Sequence, residues 1–268
     1  MTKYRYLYRV INSRVPSMRM TFYFYMLGIV LLVSCHASLK YSERESKNQA
    51  QVIETPERVL NFSGFEWIVR DSKRKPQGPG DNVFSNSKDN VWVDDMNRLH
   101  LKIIQKKNRW HCAEIRLNKP FGYGTYIFRI QTDLSTLDEN VVAGLFTYLH
   151  DTAEVDIEFS KWSKSDNLNA QYVVQPAETK GNIRRFNVQP DFERTQHSFH
   201  WREDSILFES IGFKNSNEKF LNRWTYKGAS IPKEDTEGLR INLWLYKGQA
   251  PKNQQEVEII VESVHFIP

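Results

Sequence analysis

Residues 151–159 read Asp-Thr-Ala-Glu-Val-Asp-Ile-Glu-Phe. Extended backbone sends successive side chains to opposite faces. Glu154, Asp156 and Glu158 therefore share one face of a strand, and Val155, Ile157 and Phe159 share the other. The apolar set is what the inner face of a β-sandwich requires, which leaves three carboxylates in line on the outer surface of a sheet. Like charges this close oppose one another unless something holds them. The solvated face of an amphipathic strand explains the alternation, although such a face ordinarily mixes Lys, Thr and Ser with its acids, and no base interrupts this set. A carboxylate-based site explains it equally well, and the pattern alone leaves both readings open.

Glycosidic-bond hydrolysis is one chemistry that uses such spacing. It needs one ionised carboxylate and one protonated carboxyl group, which a retaining mechanism sets about 5–5.5 Å apart. On a flat strand the Cα atoms of Glu154 and Glu158 are about 13 Å apart, at roughly 3.3 Å per residue. Both side chains must then lean inward over Asp156, helped by bending of the strand. The shorter central acid can share a proton or hydrogen bond with its neighbour, and its charge helps keep the partner acid protonated. Three oxygens could instead hold a hard cation such as calcium. Alternating positions on a strand, however, do not wrap around an ion as a loop does, and no nearby His or Cys cluster suggests a transition metal.

Outward from this segment the chain continues as short apolar or alternating runs broken by polar turns. Val91–Val93, the turn-like Asp94-Asp95-Met96-Asn97 and Leu99–Ile104 read as a pair of strands. Further strands are expected at Glu114–Leu117, Gly124–Ile130, Val141–Tyr148, Val155–Phe159 and Asn169–Gln175. The second half adds His197–Trp201, Ile206–Ser210, Leu239–Tyr246 and Val257–Phe266. With no long amphipathic helix and no repeat, the pattern predicts one all-β sandwich over residues 58–268. Lys73-Arg74-Lys75-Pro76-Gln77-Gly78-Pro79-Gly80 reads as a long solvated loop.

The formal net charge of +5 comes from one place. Residues 1–34 hold Lys3, Arg5, Arg9, Arg14 and Arg19 and no acid, which leaves 32 basic and 32 acidic residues in the remainder. A chain without excess charge gives no reason to expect a nucleic-acid partner. Met20–Val33 is almost wholly apolar, too short for a comfortable membrane span and preceded by basic residues, as in a secretory leader. Residues 35–57 are polar and read as a flexible tether. Of the two cysteines, Cys112 reads as a small buried hydrophobe. The 7 Trp, 12 Tyr and 16 Phe fit either a β-rich core or a surface that stacks on sugar rings.

Several motifs in order carry a family resemblance. Glu154-Val155-Asp156-Ile157-Glu158 is similar to the E-x-D-x-E signature of glycoside hydrolase family 16, which includes laminarinases, lichenases and marine-galactan hydrolases. Gly122-Tyr123-Gly124-Thr125-Tyr126 with Phe128-Arg129 resembles the family's GYG-x-Y/F-E-x-R strand, and Leu145-Phe146-Thr147-Tyr148 resembles the FFTY of bacterial lichenases. His197-Ser198-Phe199 with Trp201 and Ile206-Leu207-Phe208 resembles H-x-Y-x-x-x-W…I-x-F with one residue fewer, and Asn242-Leu243-Trp244 resembles a late N-L-W. The likeness spans about residues 59–268. At the other end, Leu32-Val33-Ser34-Cys35 resembles the bacterial lipoprotein box, which implies a signal peptide over 1–34, a lipid on Cys35, and attachment to the cell envelope, expected at the outer membrane.

The family likeness implies a concanavalin A-like jelly-roll with a concave substrate cleft and a retaining endo-β-glycanase, with β-1,3 or mixed β-1,3-1,4 glucan as the expected polysaccharide. It assigns Glu154 as nucleophile, Asp156 as assisting acid and Glu158 as general acid/base. Asn169 and Gln171 match polar cleft positions on the next strand. Trp92, Trp110 and Trp162 are candidate stacking platforms, Phe146 and Tyr148 candidate cleft wall, and Arg116 a candidate hydroxyl ligand. Trp201 matches a position that supports the fold. No cofactor is required by the chemistry, a structural calcium away from the site is compatible with the resemblance, and a monomer is expected. A noncatalytic carbohydrate-binding lipoprotein on the same scaffold is the alternative. Val142–Tyr148 departs from the GLWPAFW of laminarinases, Glu209-Ser210-Ile211-Gly212 replaces the usual aspartate-glycine turn, and Phe213–Lys227 is expected to reshape one end of the cleft.

Overall fold

The computed structural model describes residues 56–268 apart from Asn118. The leader, Cys35 and nearly all of the tether lie outside the described residues. In chain order the strands are β1 (Arg58–Phe62), β2 (Phe65–Val69), β3 (Val91–Val93), β4 (Leu99–Lys106), β5 (Arg109–His111), β6 (Ala113–Leu117), β7 (Gly124–Ile130) and β8 (Val141–His150). They continue as β9 (Ala153–Phe159), β10 (Ala170–Val174), β11 (Ile183–Phe186), β12 (Arg194–Trp201), β13 (Ile206–Lys214), β14 (Asn217–Tyr226), β15 (Gly238–Leu245) and β16 (Val257–Ile267). Two antiparallel sheets result. One runs β1-β2-β6-β15-β8-β9-β10-β11, and the other runs β14-β13-β12-β7-β16-β4-β3 with β5 paired to β4. This is a jelly-roll-like β-sandwich, as the alternation of the sequence requires.

The core lies between the inward faces of the two sheets. From the first sheet Val155, Ile157 and Phe159 of β9 and Leu239, Ile241, Leu243 and Leu245 of β15 are buried in it. From the second, Tyr126, Phe128, Phe199 and Phe208 pack ring on ring. Most of the large aromatics are therefore core, each fully buried Phe contributing about 2 kcal/mol of apolar transfer. Trp201 is among them, buried with its indole N–H donating to the carbonyl of Pro232. Cys112 is a buried thiol, pushed up to about 12 by burial.

Phe213–Lys227 behaves differently from expectation. It is the turn and second arm of the β13–β14 hairpin, closed at Asn215 and Ser216, both in the left-handed region that a two-residue hairpin turn requires. It forms an edge of the second sheet, so it does not shape the carboxylate-bearing face of the first.

Candidate active site

Three cross-strand rows on the outward face of the first sheet build the site. Glu158 on β9 is flanked by Gly144 on β8 and Gln171 on β10; the row continues through Asn242 on β15 to Glu114 on β6, and on the other side to Arg185 on β11. Asp156 stands beside Phe146, which is itself beside Arg240 of β15. Glu154 stands beside Tyr148. All three acids line one cavity of about 430 Å³, together with Phe146, Tyr148, Glu114, Arg240, Asn242 and Trp244.

Gly144 leaves the middle of this floor without a side chain. A Cβ there would come within 2.5 Å of the Asn242 Oδ1 atom, so the glycine gives Asn242 its place. Glu114 is 1% exposed and holds two guanidiniums, Arg70 at 2.7 Å and Arg240 at 3.2 Å. A buried carboxylate demands such partners. Arg70 also donates to the Gln77 side chain and the Gly78 carbonyl, which ties the 77–79 loop to the wall of the cavity.

Burial drives the three acids in one direction. It raises Glu154 to about 7, against the pull of a hydrogen bond with Asp156 and the charge of Arg240. Asp156, 3% exposed, is raised well above its ordinary value by burial and then by the charges of Glu154 and Glu158. Glu158 is raised by burial, opposed by a hydrogen bond from Gln171 and by Arg185. Burial thus favours a proton on Asp156, and a hydrogen bond with Glu154 reinforces it. Of the two roles that the sequence gives Asp156, sharing a proton with its neighbour and acting through its charge, burial favours the first. Gln175 fixes the arrangement, donating to Asp156 Oδ2 at 3.2 Å while its own oxygen accepts from the Ala177 N–H at 2.8 Å. On the far side, Gln171 Nε2 donates to Glu158 Oε2 at 2.6 Å, which leaves Glu158 Oε1 to carry a proton.

Of the other expected site residues, Phe146, Tyr148 and Gln171 reach the acids. Trp92 and Trp110 do not. They belong to β3 and β5, on the second sheet, where Trp92 stacks on His100 at 4.5 Å and Trp110 packs against the core. Asn169 precedes β10, and its amide is committed to the backbone of Val188 in both directions, at 2.9 and 2.8 Å. Arg116 is paired with Glu57 at 2.9 Å and lines a separate recess beside the cavity. Trp162 follows β9, with one indole face covered by Arg185 at 4.7 Å.

The residues that sequence reasoning missed are Arg70, Glu114, Gln175, Arg240, Asn242 and Trp244. A signal existed on β15, where Arg240, Asn242 and Trp244 alternate with four buried aliphatics. Among the described residues five buried side-chain polar atoms lack a partner, and three of them, Gln171 Oε1, Arg240 Nε and Asn242 Oδ1, belong to these rows. Buried polar atoms are normally paired, so this concentration marks the face where a polar ligand would complete the bonding. No group of three or more His, Cys, Asp or Glu among the described residues is placed to hold a metal ion.

No family model and no curated protein matches the sequence. Solved structures do share its fold. A Bacillus licheniformis β-glucanase superposes with a TM-score of 0.58 at 18% identity, covering 79% of this chain and 96% of its own. A family 16 glycosyl hydrolase protein of Mycobacterium smegmatis gives 0.53 at 17% identity, with coverage of 74% and 90%. The immunostimulatory antigen and pseudo β-1,3-glucanase of Mycobacterium tuberculosis gives 0.56 at 16%, with coverage of 74% and 89%. The chain thus shares the jelly-roll fold of these structures, and a row of three carboxyl groups lines one of its cavities.

Proposed function

We propose that this chain is a retaining endo-β-glycanase. Glu158 gives its proton to the glycosidic oxygen as Glu154 attacks the anomeric carbon. Loss of the leaving sugar yields a glycosyl ester on Glu154, and Glu158 then takes a proton from the water that hydrolyses it. Asp156, protonated, hydrogen-bonds Glu154 and keeps it ionised for attack. Phe146, Tyr148 and Trp244 offer aromatic faces to the C–H faces of sugar rings, while Asn242 and Gln171 offer unpaired oxygens to their hydroxyls. The observation that carries this reading is a single strand placing three acids of raised pKa in one cavity. β-1,3 or mixed β-1,3-1,4 glucan is the proposed backbone, in keeping with the β-glucanase that shares the fold.

Incubation with a panel of β-glucans should release new reducing ends. Proton NMR of the first turnovers should show the anomeric configuration of the cleaved bond. Glu154→Gln and Glu158→Gln should each lower kcat/KM by about 10³-fold or more. Full activity in both variants would overturn the assignment, and oligosaccharide binding without cleavage would leave a carbohydrate-binding protein. The Leu32–Cys35 motif supports a lipid anchor on Cys35 and a place in the bacterial cell envelope. Cells grown with labelled palmitate should label the chain and not its Cys35→Ser variant; equal labelling would exclude the anchor.

A further inference from the structure

The two arginines beside Glu114 are not equivalent. Arg70 is spent within the protein: Nη1 on Glu114, Nη2 on Gln77 and Gly78, and its guanidinium plane 3.9 Å from the Phe84 ring centroid. Its charge answers that of Glu114. Among the described residues Arg240 donates only through Nη1, to Glu114 at 3.2 Å. Its Nε is buried without a partner. Glu114 is shared between two guanidiniums, so Arg240 has no carboxylate to itself, and Glu154 feels its charge without bonding it.

Nε and Nη2 of Arg240, the edge whose two parallel N–H groups match two oxygens of a carboxylate or sulfate, make no hydrogen bond among the described residues, Nε being covered in the unliganded chain. The side chain is 26% exposed and lines the cavity, and its guanidinium lies 4.6 Å from the centroid of the Tyr148 ring. Tyr148 in turn neighbours Glu154 across the β8–β9 pair. β15 is two strand spacings from β9, about 10 Å, which sets the free edge one or two sugar units from the reacting carbon. Glu154 and Asp151, the other acids near Tyr148, repel an anion from the cleavage point itself and confine it to the β15 side.

We propose that Arg240 binds an anionic substituent, a uronic carboxylate or a sulfate ester, on a sugar lying over Tyr148, so that the preferred substrate is an acidic β-glycan. This rests on the glycanase reading and narrows its substrate class. A single β-glucan prepared in neutral, C6-carboxylated and partly sulfated forms separates the two anions. Wild type should favour one acidic form over the neutral one by 10-fold or more in kcat/KM. In Arg240→Gln that ratio should fall to near one, and Arg240→Lys, which keeps the charge and loses the fork, should recover only part of it. A wild-type ratio of one, or the same ratio in wild type and Arg240→Gln, would overturn the proposal. Calorimetric binding of carboxylated, sulfated and neutral oligosaccharides to wild type and Arg240→Gln, read by the same ratios, decides the point even if nothing is cleaved. That last result would overturn the glycanase reading alone.

Discussion

Asp156 cannot ionise at little cost, because it is buried between two other carboxyl groups. Its neutral form has a proton to donate, and Glu154 is within hydrogen-bonding reach. Asp156→Ala should therefore remove a donor from Glu154, raise the pKa of that carboxylate further and, on the proposed mechanism, move the acid limb of the kcat/KM profile to higher pH. If Asp156 acted through a negative charge, the same substitution would relieve repulsion and move that limb down. A pH profile of the variant distinguishes the two. The three acids were legible in the sequence because period-two alternation places them on one face whatever the register. Which of them holds the proton was not legible, since burial drives it, against a hydrogen bond from Gln175, which lies beyond the next strand.

At the scale of strands, the site is a product of register between β8, β9 and β15. Gly144 shows how narrow the tolerance is. A methyl group at this position meets the Asn242 amide at 2.5 Å, and that amide is a side chain free to swing rather than fixed backbone. Gly144→Ala should displace Asn242 from the floor, lowering kcat/KM by about 10-fold while costing no more than about 1 kcal/mol in stability. Urea unfolding alongside kinetics checks both, and a large loss of stability with normal kinetics would refute the account. Arg240, Asn242 and Trp244 stand far along the chain from Glu154, and only the β15–β8 pairing brings them together. Alternation marked them as outward-facing but could not say which sheet they would join. Trp92 and Trp110 show the converse: suitable side chains on strands that the topology sends to the second sheet.

For the sandwich as a whole, the fold was readable wherever runs were apolar and alternating, which is why β7, β8, β12 and β16 fall where expected. It was not readable at β14, whose face carries mostly exposed polar residues and whose pairing depends on the Asn215-Ser216 turn. Ionisation also has a consequence for the whole fold. An acid whose pKa rises on folding leaves the native state with more bound protons than the unfolded chain, so stability falls as pH climbs through the window between the two values. For Glu154 that window runs from its ordinary 4.5 to about 7. His197, buried between Thr195 and Ser210, acts oppositely. Burial lowers it to about 3, so the unfolded chain takes up the extra proton, and stability drops as pH falls below 6.5. The three cavity acids thus weaken the fold on the alkaline side and His197 weakens it on the acid side. Glu154→Gln removes the share of Glu154 in the first effect and leaves the second. Its melting temperature should match wild type near pH 4.5 and exceed it by a few degrees at pH 8, as expected for about 1–3 kcal/mol in a domain of this size. Calorimetry at both pH values tests this. A gain independent of pH would mean that the glutamine improves packing and that the carboxylate carries no ionisation cost.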